Sequence, residues 1–143
     1  MQTDNEKMLQ EIVQNTEMGK NTLDELMGLT YDQKLKDEMM RQKNEYRRLN
    51  QQAHTALDAI GAQAKGQSAA ARMSVSMGIR TRTMMDKSTR NLATMLAEGS
   101  GQGVLDCKRA EKDYSSASPG ARKLCQELGE FQSSAEETWR EFV

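Results

Sequence analysis

Mostly apolar side chains recur between residues 35 and 60 at alternating steps of four and three residues. The series consists of Leu35, Met39, Gln42, Tyr46, Leu49, Ala53, Ala56 and Ile60. Because an α-helix has 3.6 residues per turn, these positions share one face, which a long helix buries against other helices. The single proline and the 4% of aromatic residues also favour helices over sheets. The sequence therefore predicts an all-α fold.

The sequence predicts another helix before this one, because it contains a signal for the start of that helix and a signal for its end. Residues 3–6, Thr-Asp-Asn-Glu, have the form of a capping box and should begin helix one, which ends at Gly28. A second capping box at residues 30–33 follows at once and begins helix two, which ends at Gly61. Because the link between them is so short, helices one and two should form an antiparallel hairpin.

The rest of the chain predicts a connection and two more long helices. Residues 61–72 are small and polar and are expected to be a connection, followed by a short amphipathic helical turn at 73–79. Helix three is expected to start at Thr83, and helix four to start at Pro119 and run to the chain end. At this length we expect one domain, residues 1–143.

Residues 99–103, Gly-Ser-Gly-Gln-Gly, interrupt the pattern of helix three. A turn here would leave a helix of 11 residues after it, which is too short to be stable alone, whereas an unbroken helix keeps one apolar face in phase. We therefore predict a continuous helix. Each interior glycine costs about 1 kcal/mol relative to alanine, so we assign Gly99 and Gly103, with Gly19 of helix one, to close helix packing. Leucine at 99 or 103 should then destabilise the fold by overpacking.

The segment from Met77 to Asp106 carries a motif that supports this fold. The residues that match are Met-Gly-Ile at 77–79, Asp-Lys-Ser-Thr at 86–89, Glu-Gly-Ser at 98–100 and Gly103. The segment resembles a group of uncharacterised bacterial ferritin-like proteins. That resemblance, together with the helix order, implies a ferritin-like antiparallel four-helix bundle with a crossover between helices two and three. It implies no particular activity.

Ferritin-like metal enzymes usually hold two metal ions with glutamates and Glu-x-x-His motifs, and this sequence departs from that pattern. Glu45 is followed three residues later by Arg48, and the single histidine, His54, has no glutamate three residues before it. Four glutamates flank the apolar stripes without occupying them: Glu17, Glu45, Glu98 and Glu127. We expect them to be solvated or paired, and we expect no cofactor and no metal, although a metal site with altered ligands is kept as an alternative.

Sulfur-containing side chains are expected to lie in the core. Five methionines have helical spacing, and we interpret them as adaptable core packing in place of copper ligation: Met73, Met77, Met84, Met85 and Met95. Cys107 and Cys125 lie at similar distances from the loop between helices three and four. We expect two reduced, buried thiols that approach each other across this hairpin, with a disulfide left open.

Charge is concentrated in residues 61–90, which contain six basic residues and one acidic one. The basic residues are Lys65, Arg72, Arg80, Arg82, Lys87 and Arg90. We expect this segment to face the acidic helix one, and no nucleic acid to bind, because no aromatic residues are interleaved with the charges.

No apolar run approaches the roughly 20 residues that span a bilayer, and no signal peptide is recognisable, so we expect a cytoplasmic protein that does not bind membranes. We predict a non-catalytic structural or protein-interaction module. Its partner is expected to be a protein, with a homodimer as one option because a hydrophobic share of 36% leaves a modest core. A small-molecule ligand is left open, and the alternative function is iron or manganese binding.

Overall fold

The computed structural model describes residues 2–143, and in this range the chain forms five α-helices and no strand. The helices are α1 (Asp4–Met27), α2 (Gln33–Ala59), α3 (Ala69–Thr83), α4 (Thr89–Asp113) and α5 (Pro119–Arg140). The predicted all-α class is confirmed. None of the helices between residues 2 and 143 combines the length and apolar character that crossing a bilayer requires.

Every helix begins at a side chain that accepts a hydrogen bond from a backbone N–H of its first turn. The five caps are Thr3, Asp32, Ser68, Ser88 and Ser118. The cap of α2 is Asp32 and not Thr30, whose hydroxyl accepts a hydrogen bond from the backbone of Asp32 at 3.1 Å. Thr83 ends α3 and does not begin α4, because the Ser88 side chain caps the next helix. Thus α3 is about twice as long as the predicted turn.

The four long helices form two hairpins, α1 with α2 and α4 with α5, that pack against each other. At one end of the molecule, the Ser118 hydroxyl donates to Asn5 at 2.7 Å and the Gln10 amide donates to the Gln63 carbonyl at 2.7 Å. At the other end, the Thr89 hydroxyl donates to the Asp32 carboxylate at 2.9 Å. The chain between α2 and α4 therefore runs from one end of the hairpins to the other, and α3 lies within it, against α1.

The core lies between the two hairpins and contains mainly leucines, with Trp139 as its largest fully buried side chain. The expectation of core methionines is wrong for four of the five: Met73, Met77, Met84 and Met85 are exposed, the last by 93%. For Met73 and Met77 the reason is that α3 buries its other face, on which Ile79 and Thr83 lie, while Met84 and Met85 follow the last residue of α3. Met95 is half-buried.

Helix α4 runs through residues 99–103 without a break. The prediction of a continuous helix is therefore confirmed. The basic segment lies against helix one as expected: α3 packs on α1, and the Gln67 backbone donates to Glu17 at 2.6 Å. Ion pairs do not make this contact, because in residues 2–143 no basic residue of 61–90 forms a salt bridge with α1. Arg82 instead pairs with Glu98 of α4 at 2.6 Å, and the α1 residue Asp24 pairs with Lys20 and Lys43.

Candidate functional site

A groove of about 290 Å³ opens between α1 and α4. Along α1 it extends from Glu11 to Leu23, which corresponds to about 18 Å of helix. The side chains of α2 and α5 close its floor. It is reachable from solvent, yet several residues of its floor are almost completely buried. Its volume lies at the lower limit of pockets that hold small molecules.

The three glycines that we assigned to close packing all line this groove: Gly19, Gly99 and Gly103. A Cβ atom on Gly103 would lie 2.5 Å from Cδ of Gln132, and one on Gly19 would lie 2.5 Å from Cε1 of Tyr46. At these two positions the glycine leaves room for a side chain of a neighbouring helix.

Gly99 does not have the contact that we expected. A Cβ atom there would meet no heavy atom of the described chain within 4 Å, because Gly99 lies on the exposed rim of the groove. Leucine at this position therefore has space, and the overpacking that we predicted for residue 99 is wrong. In α4, the missing side chain at Gly99 keeps the groove open, and the missing side chain at Gly103 leaves room for Gln132.

The middle of the floor is a network of neutral polar side chains from four helices. The Gln132 amide donates to Asn15 Oδ1 at 2.7 Å and to the Tyr46 hydroxyl at 3.1 Å. Asn15 donates back to Gln132 Oε1 at 3.3 Å, and the Cys107 thiol donates to the same oxygen at 3.7 Å. Gln132 is only 2% exposed. Because its amide is held by partners on three helices, the network fixes the floor.

Tyr46 stands at the centre of this floor. Its ring packs edge-to-face on Phe131, with 4.9 Å between the centroids. Burial raises the pKa of Tyr46 to about 12, because a buried site penalises the charged phenolate. Tyr46 is therefore a neutral hydroxyl at physiological pH.

The two ends of the groove differ in character. One end has charged groups that are already paired: Arg109 contacts Asp106 at 3.0 Å, and Glu11 accepts a hydrogen bond from Tyr114 at 3.0 Å. The other end is largely apolar and is lined by Met18, Leu23, Met95, Leu96 and Trp139. The groove therefore combines an apolar end, a neutral polar floor and an end with charged side chains.

The four glutamates considered for metal binding lie outside this groove, and each has a partner within the chain. Glu17 accepts a hydrogen bond from the Gln67 backbone at 2.6 Å. Glu45 and Glu98 accept from Arg48 and Arg82, and these hydrogen bonds lower the pKa of both carboxyls. Glu127 lies 3.8 Å from Arg48.

Across residues 2–143, no three His, Cys, Asp or Glu side chains are placed to hold a metal ion together. His54 is half-buried on α2.

The two cysteines are both free and buried. The Cys125 thiol donates to the Cys107 carbonyl at 3.6 Å, so they approach each other across the α4–α5 hairpin as we expected. The neighbouring Cys125 thiol and burial raise the pKa of Cys107. Its thiol is therefore protonated, which suits its role as a donor to Gln132.

In sequence and structure comparisons, no family model, curated protein or solved structure matches this chain. The groove must therefore be interpreted from its own chemistry. Sequence reasoning missed Asn15, Gln132 and Trp139 as groove residues. The only signal was Gln42 and Tyr46, two side chains with polar atoms on the otherwise apolar face of helix two.

Proposed function

We propose that this chain is a non-catalytic binding module that holds a small molecule in the groove between α1 and α4. The observation that carries the proposal is the floor itself, in which nearly buried, neutral polar groups meet an apolar wall. Ligand pockets typically have this composition, with few polar groups that set orientation. Catalysis is not favoured, because amides and a tyrosine with a pKa of about 12 are poor acids and bases near neutral pH.

We also propose that α1, α2, α4 and α5 form a ferritin-like four-helix bundle. The hydrogen bonds at the two ends support this topology, because the connection through α3 makes α2 and α4 parallel, as a crossover requires. The resemblance of residues 77–106 to ferritin-like proteins points the same way. Metal-binding members carry carboxylates and histidines in the bundle interior, whereas the groove floor of this chain contains Asn15, Tyr46 and Gln132.

The small-molecule function is tested by titrating the protein with indane, a rigid apolar probe. The single tryptophan of the chain serves as the reporter group. Trp139 lines the groove, so its indole N–H resonance in a ¹H–¹⁵N NMR spectrum reports occupancy. We expect a saturable shift with the native chain. Gly99→Leu should weaken binding at least tenfold, because the new side chain extends over the groove mouth.

Gly78→Leu is the matched control. Gly78 also lies within a helix with no described heavy atom within 4 Å of an added Cβ, but it does not line the groove. This variant should bind indane like the native chain. Equal indane affinity in all three proteins, or no saturable shift in any, would refute the proposal.

A second candidate function is self-association through the outer face of α3, and here the occupant that we propose is a second copy of the chain. Met73, Met77 and Met84 form an exposed stripe on this face, and methionine is favoured at adaptable contact surfaces. Residues 61–90 carry a net charge of +5, so the rest of a chain with net charge −1 carries −6. The basic face of one copy therefore complements the remaining surface of another.

Light scattering after gel filtration tests this second function. We expect a dimer at low salt that dissociates at high salt, and a monomer when Met73, Met77 and Met84 are replaced by glutamine. A native chain that is monomeric at low salt and about 0.1 mM would refute self-association, and it would leave the groove proposal untouched.

A further inference from the structure

We infer that the groove selects a neutral molecule that carries a hydrogen-bond acceptor, such as a cyclic ketone, ester or amide, and that the Tyr46 hydroxyl is the group that selects it. This inference rests on the proposed small-molecule function and specifies the chemistry of the ligand.

The first observation is an unused donor in the floor. Tyr46 is 4% exposed and lines the groove. Its oxygen accepts a hydrogen bond from Gln132 at 3.1 Å, and this is the one side-chain hydrogen bond of the Tyr46 hydroxyl among residues 2–143, so its own O–H remains available as a donor. Buried tyrosine hydroxyls usually find a partner, and a donor without one loses free energy. An acceptor atom on a ligand would complete this hydrogen bond.

The second observation is that the neighbouring amide of Gln132 is fully engaged within the protein. Its oxygen accepts a hydrogen bond from Asn15, and its nitrogen donates to Asn15 and to Tyr46. Of these two central groups of the floor, Tyr46 is therefore the one that keeps a donor for a ligand, and a donor calls for an acceptor.

The third observation is the charge of the floor, which excludes anions. Asn15, Gln42, Tyr46, Ser100 and Gln132 are neutral groups, and all of them except Asn15 are less than 10% exposed. An anion at this depth would have no cation beside it, since Arg109 at the far end is paired with Asp106. A buried charge without a partner is strongly unfavourable. A ligand that lies on this floor is therefore not an anion.

Three matched probes test the inference by NMR titration on the Trp139 indole resonance: indane, 1-indanone and indane-1-carboxylate. They share one ring system and differ by a carbonyl acceptor or a negative charge. We expect the carboxylate to bind at least tenfold more weakly than 1-indanone. Tyr46→Phe should weaken 1-indanone about fivefold, the effect of one neutral hydrogen bond, and should change indane less than twofold.

Tyr31→Phe is the matched control, because Tyr31 is 99% exposed and lies away from the groove. It should leave all three affinities unchanged. If indane binds but Tyr46→Phe affects indane and 1-indanone equally, the selection by Tyr46 is wrong while the proposed function stands. If none of the probes binds, both fail. Should Tyr46→Phe not fold, the comparison of 1-indanone with the carboxylate on the native chain still decides the inference, because equal affinities would overturn it.

Discussion

Gly99 and Gly103 lie four residues apart in α4, and alanine should have opposite effects at the two positions. At residue 103 the new Cβ would lie 2.5 Å from Cδ of Gln132, so the Gln132 amide must move. Overpacking of this kind costs about 1–3 kcal/mol, and a lost hydrogen bond to Asn15 or Tyr46 costs about 1 kcal/mol more. Alanine returns about 1 kcal/mol of helix propensity. Gly103→Ala should therefore destabilise the fold by about 1–3 kcal/mol.

At residue 99 only the gain in helix propensity remains, because no described heavy atom lies within 4 Å of the added Cβ. Gly99→Ala should therefore stabilise the fold by up to about 1 kcal/mol. The two free energies of unfolding are measured by urea denaturation, followed by circular dichroism at 222 nm, with the native chain as reference. Their difference should be about 1–4 kcal/mol.

A double-mutant cycle shows whether Gln132 is the cause. In a Gln132→Ala background the clash is gone, so Gly103→Ala should keep only its gain in helix propensity of about 1 kcal/mol, and the coupling free energy should be of the order of 2–4 kcal/mol. A cost at residue 103 that persists without the Gln132 side chain would refute the packing argument. So would equal effects of alanine at residues 99 and 103.

Two further predictions concern Tyr46 and α3. Because the pKa of Tyr46 is raised from 10.0 to about 12 in the fold, its contribution to stability is fully present below about pH 10 and is lost as the pH rises through 12; the loss is about 3 kcal/mol. The difference in unfolding free energy between the native chain and Tyr46→Phe, measured from pH 8 to 12, should show this decline, and a constant difference would contradict it. Replacing Met73, Met77 and Met84 by glutamine should change the unfolding free energy by less than about 0.5 kcal/mol, since all three are exposed; a larger loss in urea denaturation would mean that the stripe is buried.

The helices could be predicted from the sequence because their signals are local. Capping side chains such as Thr3 and Ser118 and the stripe of helix two lie within a few residues of what they determine. The orientation of α3 could not be predicted in this way. It has Met73, Met77 and Met84 on one face and Val75, Ile79 and Thr83 on the other, and both sets have helical spacing. Which face is buried depends on the contacts of α3 with α1, and these contacts form only in the folded chain.

The floor of the groove was beyond prediction for a related reason. Asn15 and Gln132 are 117 residues apart, so no local pattern pairs them. Small residues at 99 and 103 are equally consistent with a close helix contact and with a groove, because both need side chains to be absent. The separation of α1 from α4 decides between the two, and that distance is set by side chains from all four long helices.

The groove concentrates several unfavourable features at one place in the fold. Two glycines in the interior of α4 each lower helix stability by about 1 kcal/mol, and the Tyr46 hydroxyl leaves its donor unused among the described residues. Larger apolar residues would remove the space and gain core contacts. Departures of this kind from the most stable packing are expected where a protein binds something. A molecule that fills the space and accepts the hydrogen bond from Tyr46 would reverse part of these losses, and because it binds only the folded chain it would raise the free energy of unfolding.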